Sequence, residues 1–425
     1  MAVLLWLKSK AQIFFQIDIG YFLKGGFWIS AENSISTLIS FVLGLILINF
    51  LSQNDYGIYK FIFSIAGILQ IFLFNGMNSA VTQAVALGEE GALKKVVFFR
   101  LKWGLLFTTA SFIVSLYFLY YQNYIVAISL IILGVFQPIN SALGTYQSYL
   151  QGKKEFRLFT LSSLITQVIF TLGIIFTLLS IKNIILLVLV QALIYLIINF
   201  LFFWKTIKHF RPTNKYENNA ISYGNKLTFL ELFGILAQNL DKIVLFHFWG
   251  PAILANYAIA QFFPNYIYSL LKSISGLLIP KISPQSLSEI SESFYRRFFQ
   301  SVFIGSIISS FYIIIAPFLF FIFFKKYSDM VLYSQILSID LIFALANGFM
   351  GSIFLSKKFI KSIYASQIIN NLIRIILFII MGMIGGVMGI ILASIISRIM
   401  GTIINIVLWE LEKKRGLSNP SHDFH

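Results

Sequence analysis

Long apolar runs alternate with short polar clusters along the whole chain, and this alternation sets the expected fold. Runs near twenty residues match what a helix needs to cross a hydrocarbon core of about 30 Å. On that basis the chain predicts twelve spans: 28–51, 56–76, 97–120, 124–150, 158–180, 184–204, 224–248, 252–280, 298–324, 331–356, 361–382 and 386–409. Tight turns are expected at Asn54-Asp55, Gln122-Asn123, Lys182-Asn183, Gly250-Pro251 and Gly385-Gly386. The expected architecture is an all-α membrane protein. It has an N-lobe of six helices (28–204), a linker (205–223), a C-lobe of six helices (224–409) and a tail (410–425).

The halves echo one another. The joint Asn239–Gln261 (NLDKIVLFHFWGPAILANYAIAQ) has a counterpart at Leu51–Phe63 (LSQNDYGIYKFIF), and one spacing relates both Tyr59 to Tyr257 and Gly26 to Gly224. A unit of about half the chain used twice is a transporter pattern. Residues 1–27 mix Leu7, Phe14, Phe15 and Phe22 with Lys8, Lys10 and Lys24, which reads as a helix in the membrane surface or as a frayed leader.

Composition agrees with the pattern. Hydrophobic residues make up 58% and charged residues 11% of the chain, with a mean hydropathy of +0.85. Soluble domains carry about a quarter charged residues. There is no cysteine, so no disulfide framework or thiol chemistry is expected. The net charge of +16 would suggest nucleic acid in a soluble protein, but its placement argues otherwise. Lysine and arginine crowd alternate connections, at 94–102, 153–157, 205–226, 281–297, 357–361 and 413–415. The connections on the opposite side hold only Lys182, Lys325 and Lys326. By the positive-inside rule both termini are cytoplasmic, and the basic face meets anionic lipid. The 205–223 linker reads as solvated, with docking of a cytoplasmic enzyme as the alternative.

The informative residues are the charges within the spans: Glu32, Lys60, Glu231, Asp241, Lys242, Lys272, Asp340, Arg374 and Arg398. Each costs about 2.5–3.5 kcal/mol at a helix centre unless it faces water or a partner. Helical spacing gives four polar stripes. They are Asn33, Thr37, Ser40 and Gly44; Glu231, Gly234, Gln238 and Asp241; Gln367, Asn371 and Arg374; and Ser394, Arg398, Gly401 and Asn405. Such a stripe lines a cavity or hydrogen-bonds a neighbour. Stripes at equivalent places in the two halves favour a cavity between them. Asp340 is read either as a cavity group or as the neutralising partner of Arg374 or Arg398. Asp241 and Lys242, being adjacent, point about 100° apart and are expected to face different surroundings. Pro138, Pro264 and Pro317 are expected to kink their helices.

At LSQNDYGIYKF, and at NLDKIVLFHFWGPAILANYAIA followed by SGLLIPKIS, the chain resembles bacterial polysaccharide flippases of the multidrug/oligosaccharidyl-lipid/polysaccharide exporter (MOP) superfamily. The resemblance implies two pseudo-symmetric lobes around a central cavity that opens alternately to each side of the bacterial inner membrane. It implies an undecaprenyl-diphosphate-linked oligosaccharide as substrate, of the O-antigen or capsule type, with glycan-assembly enzymes as candidate partners; no cofactor is expected. Against that background Arg374, Arg398 and Lys272 are the expected diphosphate contacts, since guanidinium forks match phosphate oxygens. Glu32, Glu231, Asp241, Lys242, Asp340, Gln238 and Asn371 are cavity or coupling candidates, with H⁺ or Na⁺ as the coupled ion or the membrane potential as the drive. Tyr257, Tyr266 and Tyr268 are candidates for stacking on sugar rings. The alternative is an H⁺- or Na⁺-coupled multidrug or metabolite exporter of the same superfamily. An enzyme is disfavoured, because the outer connections are too short to hold catalytic groups.

Overall fold

The computed structural model describes residues 19–216, 219–276 and 278–418. Residues 1–18 of the expected surface helix at 1–27, and the tail end at 419–425, fall outside the described residues. The chain adopts the all-helical fold expected of it. In order the helices are α1 (Ile19–Phe50), α2 (Gln53–Leu69, continued by a 3₁₀ turn Gln70–Leu73), α3 (Met77–Ala86), α4 (Ala92–Tyr120), α5 (Tyr124–Leu143), α6 (Tyr146–Gly152), α7 (Phe156–Ser180) and α8 (Ile184–Phe210). Then come α9 (Asn219–Ala260), α10 (Phe262–Gly276), α11 (Ile279–Ile282), α12 (Leu287–Phe323), α13 (Val331–Leu337), α14 (Ala344–Ser356) and α15 (Ile360–Ser418). Among the described residues ten helical stretches are long and apolar enough to cross a membrane. Helices are the expected solution, since hydrocarbon offers the backbone no other hydrogen-bond partner.

Two of the ten stretches are too long to be single crossings. At 1.5 Å per residue the 56 residues of Ile360–Arg415 would run about 84 Å, far more than one crossing needs. The helix breaks at Gly386, with φ 52° and ψ −130°. The arms then run back along each other: Ser362 Oγ donates to Glu412 Oε1 at 2.5 Å, and Ser366 Oγ to Asn405 Oδ1 at 2.6 Å. Ala220–Ala260 breaks likewise at Gly250, with φ 84° and ψ 177°. Both backbone conformations suit glycine and strain any side chain. Pro251 then starts the next arm, where its missing N–H costs nothing.

The turns at Asn123 and Asn183 are capped as their residue types suggest. Asn123 Oδ1 accepts from Val126 N, and Asn183 Oδ1 from Ile185 N and Leu186 N. The turn expected at Asn54-Asp55 lies earlier, and both residues are already helical. Ser52 is the cap: Asp55 N donates to its hydroxyl at 3.1 Å, and that hydroxyl donates to Asp55 Oδ2 at 2.7 Å. The sequence reading took the polar pair as the turn and missed the serine that starts the helix.

The chain divides into two compact units, and neither is continuous in sequence. The first comprises the described parts of Met1–Leu43 and Leu69–Thr228; the second comprises Gly44–Ile68 with the described parts of Phe229–His425. In the first unit, hydroxyls stitch α4 to α5. Thr108, Ser111 and Ser115 donate to the carbonyls of Gly134, Leu130 and Ala127 at 2.7–2.9 Å. Small hydroxyl residues let apolar helices approach where water drives nothing together. Arg100, counted in the sequence as a loop charge, is 3% exposed and ties α4 to its surroundings. Its Nε donates to Leu73 O, Nη1 to Asn78 Oδ1 and Thr145 Oγ1, and Nη2 to Asn75 Oδ1 and Ser141 Oγ, all at 2.5–3.1 Å. In the second unit, Phe294, Phe298, Phe349 and Trp409 centre an apolar core, with Phe294 and Trp409 stacked at 4.7 Å. Between α13 and α14 a 3₁₀ segment, Ser338–Phe343, carries Asp340.

Candidate functional site

The site lies in the second unit, in the hairpin of α15. One arm carries Asn370, Asn371 and Arg374; the other carries Ser394, Ser397, Arg398, Gly401 and Asn405. With Asn347 of α14 they line a cavity of about 160 Å³. That is room for roughly five waters at ~30 Å³ each. The whole predicted stripe of Ser394, Arg398, Gly401 and Asn405 lines it, as do Asn371 and Arg374. Asn347, Asn370 and Ser397 were missed. Asn347 lies on a different helix, and no spacing rule links it to the stripe.

The asparagines are chained together. Asn347 Nδ2 donates to Thr402 Oγ1 at 2.8 Å, Asn405 Nδ2 to Asn347 Oδ1 at 3.0 Å, and Asn370 Nδ2 to Ser366 Oγ at 3.2 Å. Fixing the amides this way aims their remaining groups. Asn370 Oδ1 is buried and unsatisfied, and so is Arg374 Nε. A buried unpaired polar atom costs about 1–3 kcal/mol, and more when it is charged. Two of them beside one cavity make a polar occupant favourable.

The two arginines are held differently. Arg398 makes a bidentate pair with Asp340, Nε to Oδ1 at 2.9 Å and Nη2 to Oδ2 at 2.8 Å. Its Nη1 donates to Tyr268 Oη at 3.3 Å, and the guanidinium lies 4.8 Å from the centre of that ring. This is the neutralising arrangement weighed for Asp340. Arg374 lies 4.8 Å from the Phe378 ring, and among the described residues no carboxylate lies within ion-pair distance of it. The cavity therefore offers one compensated guanidinium and one open one.

The other candidates sit elsewhere. Lys272 is exposed on α10 and does not line the cavity. Asp241 is 1% exposed and accepts from Tyr257 Oη at 2.8 Å and from Lys242 Nζ at 3.0 Å. The expectation that Asp241 and Lys242 diverge is thereby corrected. The flexible lysine stem bends back over the 100° offset, and its ammonium also donates to Gln238 O at 2.8 Å. Tyr257 is buried against Asp241, and Tyr268 is committed to Arg398, so neither presents a free face for a sugar. Gln238 and Glu231 are exposed on α9. Glu32, in the first unit, accepts from Ser163 Oγ at 2.7 Å and Ser36 Oγ at 3.2 Å. Ser40 accepts from Gln167 Nε2 at 2.7 Å, so part of the α1 stripe bonds α7.

The geometry and order of the helices match solved transporters. A multidrug resistance MATE family transporter of the MOP superfamily, in an inward-facing conformation, superposes with a TM-score of 0.65 at 11% identity, over 89% of this chain and 95% of that one. A MOP superfamily transporter from Pyrococcus furiosus gives 0.62 at 13% identity, over 91% and 96%. The lipid II flippase MurJ, inward closed, gives 0.60 at 18% identity, over 88% and 86%. The fold is therefore shared with these transporters. A profile described as polysaccharide biosynthesis protein matches residues 22–286, more than half of the chain. The chain belongs to the polysaccharide biosynthesis protein family. No curated protein matches it by sequence.

Proposed function

We propose that this protein is a flippase that carries an undecaprenyl-diphosphate-linked oligosaccharide across the bacterial inner membrane by alternating access. Twelve spans would form two lobes, 28–204 and 224–409, with both termini in the cytoplasm. The observation that carries the reading is Arg374, an open guanidinium midway along a membrane helix beside a wall of amides. A diphosphate supplies what that group lacks, through charge-assisted hydrogen bonds that a neutral ligand cannot match. The fixed asparagines suit sugar hydroxyls. Arg398 is the weaker contact, because Asp340 already balances its charge.

The membrane potential is worth about 2.3 kcal/mol per charge per 100 mV, so moving two phosphate charges out of a negative cytoplasm is downhill. The multidrug-exporter alternative needs an open carboxylate for a cationic drug. Asp241 and Asp340 are each engaged by a base, whereas Glu32 accepts from two serine hydroxyls. Glu32 is that alternative's candidate, tested by the drug sensitivity of a Glu32→Gln strain.

The test is complementation of a strain lacking this chain's gene, with lipid-linked glycan measured on each leaflet. Arg374→Gln is expected to insert normally and to leave the glycan on the cytoplasmic leaflet. Wild-type export by that variant would remove Arg374 from the substrate path.

A further inference from the structure

In the first unit a groove of about 750 Å³ opens between α7 and the end of α8. Leu158, Leu161 and Ile165 of α7 face Phe202 and Phe210 of α8 across it. The three aliphatic residues are 39–44% exposed, so helix packing leaves this apolar surface open. The mouth is of the opposite character, with Lys205, Lys208 and His209 all exposed and all lining the groove. Lys208 Nζ lies 4.9 Å over the ring of Trp204, which is itself 50% exposed. No carboxylate is among the lining residues.

An apolar channel with a tryptophan and two lysines at its mouth has the polarity profile of one lipid molecule. Tryptophan concentrates at the headgroup level, and clustered lysines there recognise anionic headgroups. We infer that this groove is a binding site for a resident anionic phospholipid, with its phosphate at Lys205 and Lys208 and an acyl chain along Leu158, Leu161 and Ile165. The site lies in the other unit from Arg374 and does not depend on the proposed substrate.

The test uses the full chain in phosphatidylcholine vesicles containing a small fraction of brominated phosphatidylglycerol, and reads quenching of Trp204. That signal is identified as the part lost in Trp204→Phe. Brominated phosphatidylglycerol is expected to quench it at lower mole fraction than brominated phosphatidylcholine, by about fivefold per lysine. The double variant Lys205→Gln/Lys208→Gln should bring the two lipids level. Both lysines are exposed, so the variant should stay folded, which its melting curve checks. Equal quenching in the wild type, or a preference that survives the double variant, overturns the site. Displacement of the brominated lipid by equimolar undecaprenyl phosphate would also overturn it, by assigning the groove to the polyprenyl carrier.

Discussion

Arg100 and Arg374 are both guanidiniums within apolar helical units, and their surroundings separate structure from function. Arg100 spends its donors on five oxygens, four from side chains and one from a backbone carbonyl. Arg374 keeps a buried Nε without a partner and faces a polar cavity. Charge at depth is therefore not itself a sign of a substrate path. What distinguishes the two is whether folding has already used the hydrogen-bonding capacity.

Substitutions can break that comparison. The largest effect is expected at Arg374→Gln, with export reduced at least about a hundredfold, since two charge-assisted hydrogen bonds are worth about 3 kcal/mol or more. Its melting temperature should hardly move. Arg100→Ala should do the reverse in kind, costing about 3 kcal/mol or more of stability by orphaning buried acceptors. A detergent melting curve and protein abundance in the membrane would check it. Asp340→Asn is expected to cost about 1–3 kcal/mol, less than a fully buried pair, because both partners keep some exposure. Asp340→Asn combined with Arg398→Met should recover most of that stability if the pair is structural, and should leave export low if Arg398 also meets the substrate.

The smallest effect concerns Glu90, at the turn before α4. Burial pushes its carboxyl up, but bonds from Lys153, the Thr213 N–H and Tyr149, with the Lys153 charge, outweigh this and hold it below its usual range. A lowered carboxylate stabilises the fold above the unfolded pKa, about 4.3, and that contribution fades as pH falls through the lowered value. Glu90→Gln should therefore cost under about 1 kcal/mol at pH 7. Its melting temperature should converge on that of the wild type at pH 3.

Much of this was legible in the sequence. The spans follow from apolar length, and the reversals at Gly250 and Gly386 from Gly-Pro and Gly-Gly. The stripe through Arg398 follows from helical period alone, so four of the cavity residues could be named before any coordinates. Contacts between distant segments could not. Asp340 and Arg398 are 58 residues apart, and nothing local distinguishes that pairing from Asp340 with Arg374. Arg100 shows the converse limit. A charge near a helix end reads as a loop cation, and only packing reveals that it is buried. The short helix α3 was missed because ten residues of modest hydropathy do not register as a span.

The reversals at Leu51-Ser52, Asn123, Asn183, Gly250 and Gly386 each turn the chain within at most three non-helical residues. Such a turn offers a protease almost no open backbone, whereas 211–216 is non-helical chain. In sealed vesicles, a protease on the face that carries 211–216 should cut the chain there, so that sidedness can be read from a gel without attaching any tag.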